Sequence, residues 1–144
     1  MFKSKTKNGK RIYFLDKATC ERMLEVAERA LKNSYTQNKN YAFAVSVLTK
    51  KGNIYPGVSY CSDTFTLTMH SEATALAHAA IHGEKEIIAI TGPNCHICKQ
   101  LIYENSLRSK IDIVIVIREK GKIRQVPISS LMPFAWPKKP NPQI

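Results

Sequence analysis

The sequence predicts a three-layer α/β/α domain built around a mixed five-stranded sheet. Three observations carry this expectation. Segments with helical spacing alternate with apolar, β-branched runs in the order α-β-β-α-β-α-β-β. Two pairs of strand-like runs are joined only by short turns, at residues 50–53 and 119–122, so each pair reads as an antiparallel hairpin. The runs at 86–91 and 111–117 are rich in isoleucine and valine, as strands buried on both faces are.

Each element follows in chain order. Residues 1–11 hold five of the 22 Lys and Arg and read as a flexible basic arm. Residues 12–15 are apolar, a short strand or an anchor. Asp16 can cap a helix over 18–34, with Met23, Ala27, Ala30, Leu31 and Tyr35 at helical spacing. A polar loop leads to a strand over 42–48. Lys50-Lys51-Gly52-Asn53 supplies a turn, and residues 54–60 return. After a polar connection at 61–69, the alanine-rich stretch 71–82 is helical and Gly83 stops it. The strand at 86–91 breaks at Gly92-Pro93-Asn94, and residues 95–105 form a short helix. The strand at 111–117 turns back into 123–128, where Pro127 marks an edge or a strand end. Ser129 or Ser130 caps a last turn containing Leu131 and Met132. The domain proper spans 12–136, and 137–144 is an extended Pro- and Lys-rich tail.

A chain of 144 residues suits one domain with its own core. No segment approaches the roughly 18 apolar residues of a membrane helix. The basic N-terminus lacks the apolar stretch of a signal peptide. A soluble, cytoplasmic protein without a membrane partner is expected. The net charge of +11 can attract nucleic acid. No aromatic residues interleave the basic run, however, so a nucleic-acid partner is not favoured over a solvated basic surface. The four cysteines do not form a disulfide framework. Cys20 reads as a core residue on a helix face, while Cys95 and Cys98 form a C-x-x-C pair of the metal-binding or redox kind.

The chemistry is concentrated in His70-Ser71-Glu72 and Cys95-His96-Ile97-Cys98. A catalytic zinc takes three nitrogen or sulfur ligands from protein and leaves a fourth position to water. His70, Cys95 and Cys98 offer that set, at predicted helix starts where the dipole favours a thiolate. Glu72 lies on the first turn after His70, placed to handle a proton of water at the metal. A structural zinc would need a fourth protein ligand, for which Cys61 or His96 is available. A thioredoxin-like redox pair would leave His70-Ser71-Glu72 unused and lacks the leading βαβ pattern. His78 and His82 are four apart and could bind metal, but they read as helix surface.

H-x-E followed by C-x-x-C resembles the signature of zinc deaminases. The likeness extends over residues 41–57, with Gly52 at the turn of the family's first hairpin. Cys98-Lys99-Gln100 is similar to the family's C-R-Q helix, and residues 128–136 to its closing segment. Most of residues 18–136 thus resembles the cytidine deaminase family. The resemblance implies that fold, one Zn²⁺ per chain on His70, Cys95 and Cys98, and Glu72 as the proton carrier. It implies hydrolytic deamination of a cytosine nucleoside or related small aminopyrimidine, releasing ammonia, by a homodimer or homotetramer. Tyr41 falls on an aromatic that lines the base pocket, or else is a core tyrosine at a strand start. Trp136 falls on an aromatic that reaches a neighbouring subunit's site, or else packs the tail on its own domain. Antiparallel final strands resemble deaminases of free nucleosides. An editing deaminase acting on single-stranded nucleic acid and a non-catalytic zinc-stabilised binding module are the rival expectations.

The departures from the pattern are equally specific. Members with three cysteine ligands carry an arginine after the glutamate. Here His70 makes the ligand set formally neutral, and Ala73 follows. Asn94 stands where the family places proline, with Pro93 one position earlier. Ser59 and Cys61 fall on the family's ribose-binding N-x-E, and neither replaces a carboxylate that accepts from sugar hydroxyls. The chemistry is expected to be retained while sugar recognition changes.

Overall fold

The computed structural model describes residues 2–144. Its main sheet has five strands: β3 (Ala44–Thr49), β4 (Ile54–Val58), β5 (Ile87–Thr91), β6 (Val114–Glu119) and β7 (Lys122–Pro127), in the order β4-β3-β5-β6-β7. Only β5 and β6 run parallel, linked by α3 (His96–Ser109). β3 is antiparallel to both neighbours, and β6 and β7 form the expected antiparallel hairpin. Lys120 and Gly121 turn that hairpin with φ of 51° and 75°, the hand that a two-residue loop between twisted strands requires. The isoleucines of β5 are buried because helices cover the sheet on both sides.

Strand periodicity assigns the faces. Ser46 donates its hydroxyl to the Met23 carbonyl of α1 (Lys17–Ala30) at 2.7 Å, so its face carries α1. Val45 points the other way, and its partner Gly57 lies against α2 (Ser71–Ile81). A β-carbon at Gly57 would stand 2.6 Å from Ala75 Cα and closer still to Ala75 N and Ser71 O. The bare glycine therefore lets the first turns of α2 rest directly on β4. At the other end of α2, the buried Glu84 carboxylate accepts from Thr49 Oγ1 at 2.6 Å, from Asn53 Nδ2 at 2.9 and 3.0 Å, and from the Tyr55 hydroxyl. These bonds, led by those from Thr49 and Tyr55, hold its pKa down to about 2.

The basic N-terminus is not an unstructured arm. β1 (Lys3–Lys7) and β2 (Lys10–Phe14) pair antiparallel as a separate two-stranded sheet. Asn8 and Gly9 turn it, both with positive φ. The hairpin is stitched to the domain by Arg11 N to Lys110 O and Asp112 N to Arg11 O, each 2.9 Å. The Gln125 amide then clamps both backbone groups of Leu15, at 3.0 and 2.7 Å. The pairing brings Lys5 Nζ to 5.5 Å from the Phe14 ring, an aromatic neighbour hidden by linear reading. Met1 lies outside the described residues.

Other differences are smaller. α1 ends at Ala30 and passes into a single 3₁₀ turn, Leu31–Asn33. α3 runs to Ser109, beyond the expected stop at 105, and ends on Lys110 in the left-handed region. The segment after a 3₁₀ turn at Ile128–Leu131 has no helix or strand. It is pinned to α3 by Gln100 Nε2 to Trp136 O at 2.8 Å and Tyr103 OH to Pro137 O at 2.7 Å. Among the described residues no helix is long and apolar enough to cross a membrane.

Candidate metal centre and active site

His70 is the N-cap of α2 and Cys95 the N-cap of α3, with Cys98 on the first turn of α3. Neither N-cap side chain bonds its own helix, which leaves both free to point at each other. Because β5 separates the two helices in sequence and leads into α3, the sheet brings the two helix starts together. His70 Nδ1 lies 3.5 Å from Cys95 Sγ and 3.2 Å from Cys98 Sγ, and the three ligand atoms lie within 4.8 Å of one another.

These donors fit zinc. Tetrahedral bonds of about 2.0–2.1 Å to nitrogen and about 2.3 Å to sulfur put neighbouring donors about 3.5–3.8 Å apart. One imidazole and two thiolates neutralise the ion. Among the described residues neither Cys61 nor His96 joins this group, which disfavours the four-ligand structural site and matches an open catalytic position. Without a cation, burial first and then the Glu72 carboxylate push the Cys98 thiol upward. A bound divalent ion reverses that logic and holds the thiol deprotonated.

Glu72 is buried beside this cluster on the first turn of α2. Ser71 Oγ donates to Glu72 Oε1 at 3.0 Å, and Asn94 Nδ2 donates to Oε2 at 2.8 Å. The Asn94 contact is the residue role that sequence reasoning missed. Asn94 was visible there only as a departure from proline, and the Gly92–Pro93 peptide before it is cis. Its Nδ2 also donates to Thr91 O at 3.1 Å. With two acceptors facing the amide nitrogen, the opposite flip would set oxygen against oxygen. Its Oδ1 is left buried without a partner, as the cost of that orientation.

A cavity of about 510 Å³ opens over the cluster. His70, Glu72 and Cys95 line it together with Tyr41, Ser59 and Cys61. Tyr41 is therefore a cavity residue on a 3₁₀ turn, half exposed, and not a core tyrosine at a strand start. Phe43 and Phe65 add aromatic wall. Trp136 is not among the lining residues; the residue is 77% exposed, so its side chain does not pack the tail onto its own domain. His78 bonds the Pro56 carbonyl at 2.8 Å and stacks in a group with Tyr55 and His82, away from the cluster. Cys20 is fully buried in the core.

Comparison with known proteins bears on this arrangement directly. Residues 17–116 match the model of the cytidine and deoxycytidylate deaminase zinc-binding region. The chain is 25% identical over 122 residues to a cytidine deaminase of Halalkalibacterium halodurans, covering 79% of this chain and 91% of that one. It is 24% identical over 127 residues to a cytidine deaminase of Sporosarcina psychrophila, covering 83% and 92%. The crystal structure of a cytidine deaminase from Burkholderia pseudomallei superposes with a TM-score of 0.69 at 23% identity, covering 81% of this chain and 98% of that one. With the sheet order, the helix-start ligand pair and the adjoining carboxylate already in place, these matches assign the chain to the cytidine and deoxycytidylate deaminase zinc-binding family.

Proposed function

We propose that this chain is a zinc-dependent hydrolase that deaminates a cytosine nucleoside or related aminopyrimidine. Ring amine and water are exchanged for ring carbonyl and ammonia. The observation that carries the reading is Glu72, which lines the same cavity as His70 and Cys95 and has both carboxylate oxygens held by neighbours. Zinc on His70, Cys95 and Cys98 would supply Lewis acidity and bring the pKa of a water to about 7. Glu72 then takes that water's proton and delivers protons to the ring nitrogen and the departing amine. Ser71 and Asn94 fix the carboxylate's plane while each oxygen keeps a lone pair for this traffic. Tyr41 and Phe43 offer flat surfaces against which a pyrimidine can lie.

The deciding variant is Glu72→Gln. It should keep zinc and fold, since Glu72 is not a ligand, and lose turnover by about 10²–10⁴-fold. Near-normal turnover would remove Glu72 from the reaction. Action on single-stranded nucleic acid is the second reading, favoured by Lys3, Lys5 and Lys7 on one face of the N-terminal hairpin. Ammonia release from cytidine, from cytosine and from a cytosine-containing oligonucleotide separates the two readings. A homodimer or homotetramer fits the exposed Trp136 ring, which is free to enter a neighbouring copy's site.

A further inference from the structure

The cavity wall beyond the metal centre has little to offer a sugar. Ser59 Oγ is fully engaged within the chain: it meets Ser34 Oγ at 2.5 Å, accepts from Phe43 N at 3.0 Å and donates to Tyr41 O at 2.8 Å. One hydroxyl has one proton and two lone pairs, so three partners exhaust it. Thr68 Oγ1 is taken by the backbone of Ser62, at 2.9 and 3.5 Å. Cys61 Sγ leans on Tyr41 O at 3.8 Å and is a weak partner at best. Of the side chains on this wall, only the Tyr41 hydroxyl has no hydrogen bond among the described residues. The remaining surface is aromatic and aliphatic: Phe43, Phe65, Ala44 and Val45. A ribose would bring several hydroxyls to a wall on which this chain offers one free side-chain partner, losing hydration without replacement.

We propose that the cavity takes an aminopyrimidine whose ring nitrogen carries an apolar, preferably aromatic, substituent in place of a sugar. The proposal rests on the deaminase reading of this same site and names the substrate class for it. The pyrimidine amine faces Glu72 and the ligand cluster, while the substituent lies against Phe43 and Phe65. Ser59 acts there as a structural hub that shapes the wall through Tyr41, Phe43 and Ser34, and contacts no substrate.

The test compares 1-benzylcytosine with cytidine on the zinc-loaded full chain, by ammonia release and by calorimetric binding to zinc-loaded Glu72→Gln. The expected result is at least a tenfold preference for 1-benzylcytosine in both kcat/KM and Kd. Equal or tighter binding of cytidine overturns the proposal and leaves the deaminase reading standing. Tighter binding of 1-benzylcytosine without ammonia from either compound supports the apolar wall and sinks the deaminase reading instead. Cys61→Glu places a carboxylate on the wall while removing only the weak Cys61 contact to Tyr41 O and leaving Ser59 itself in place, and should reverse the preference. Should that variant fail to fold, Phe65→Ser, on the exposed turn Phe65–Leu67, should narrow it. An unchanged ratio in a folded Phe65→Ser protein counts against the proposal.

Discussion

Gly57→Ala adds one methyl group where β4 meets α2, and its effect should reach the metal centre. The new Cβ would sit 2.2 Å from Ala75 N and 2.3 Å from Ser71 O, whereas ordinary contact begins near 3.4 Å. Helix and strand must therefore part by about 1.2 Å, and the obstacle is backbone, which cannot rotate aside. Overpacking of this kind costs about 1–3 kcal/mol, here at the upper end. For a chain of this size each kcal/mol lowers Tm by about 3 °C, so a drop of about 6–9 °C is expected. The same displacement moves the helix that presents His70 and Glu72. A misplacement near 1 Å can cost about 10²-fold in rate, so kcat/KM should fall at least tenfold at a temperature where the variant is still folded. Gly83→Ala is the control: its φ of +77° makes alanine costly, yet nothing lies within 4 Å. It should lose about 1–2 kcal/mol and keep full kcat/KM. Calorimetric melting and initial-rate kinetics on both variants decide the matter. Wild-type activity in a destabilised Gly57→Ala protein would refute the claim that the site depends on this contact.

Four further outcomes are expected. Asn94→Ala frees Glu72 Oε2 from a charge-assisted bond worth about 1.5–3 kcal/mol, so kcat should fall about ten- to a hundredfold with KM nearly unchanged; a change in KM alone would assign Asn94 to binding. His70→Ala, Cys95→Ala and Cys98→Ala should each lose zinc by elemental analysis, and chelation should lower the wild-type Tm; an active, metal-free protein would end the metal assignment. The Glu84 carboxylate has its pKa held at about 2, below the ordinary 4.5, so its contribution is complete above about pH 4.5 and falls away as pH drops toward about 2. The stability gap between wild type and Glu84→Gln, read from urea midpoints, should therefore shrink from about pH 6 to about pH 3, and a constant gap would show that these bonds do not favour the ionised form. Trp136→Ala leaves the Gln100 bond to the backbone carbonyl intact, so lost activity in a still-oligomeric protein would trace to the ring, while an active monomer by light scattering would refute a cross-subunit role.

Much of the centre was legible in the sequence because its chemistry sits at fixed short spacings. His70 and Glu72 share one helix turn, and Cys95 and Cys98 share another. The sheet was legible for a similar reason: β5 and β6 are buried on both faces and so read as continuous apolar runs. The N-terminal hairpin was not, since alternating lysines on a small exposed sheet give no hydrophobic period. Its signal was Asn8-Gly9, the dipeptide suited to two-residue turns with positive φ. Asn94 and Ser59 were visible only as departures from a pattern. What they do depends on partners 16 to 25 residues away, brought near by the sheet, and no local rule reports such contacts.

The metal ligands are drawn from segments far apart in the chain. His70 and Cys95 are 25 residues apart, and the whole of α2 and β5 lies between them. A fragment that has not yet placed β5 beside β3 holds its imidazole and thiols on a loose loop, where closure works against capture. Zinc fingers organise themselves around an ion and are unfolded without it. Here the three ligand atoms stand together because β5 pairs with β3 and carries the chain from α2 to α3, so the geometry of the cup is a property of the folded sheet and not of any local segment.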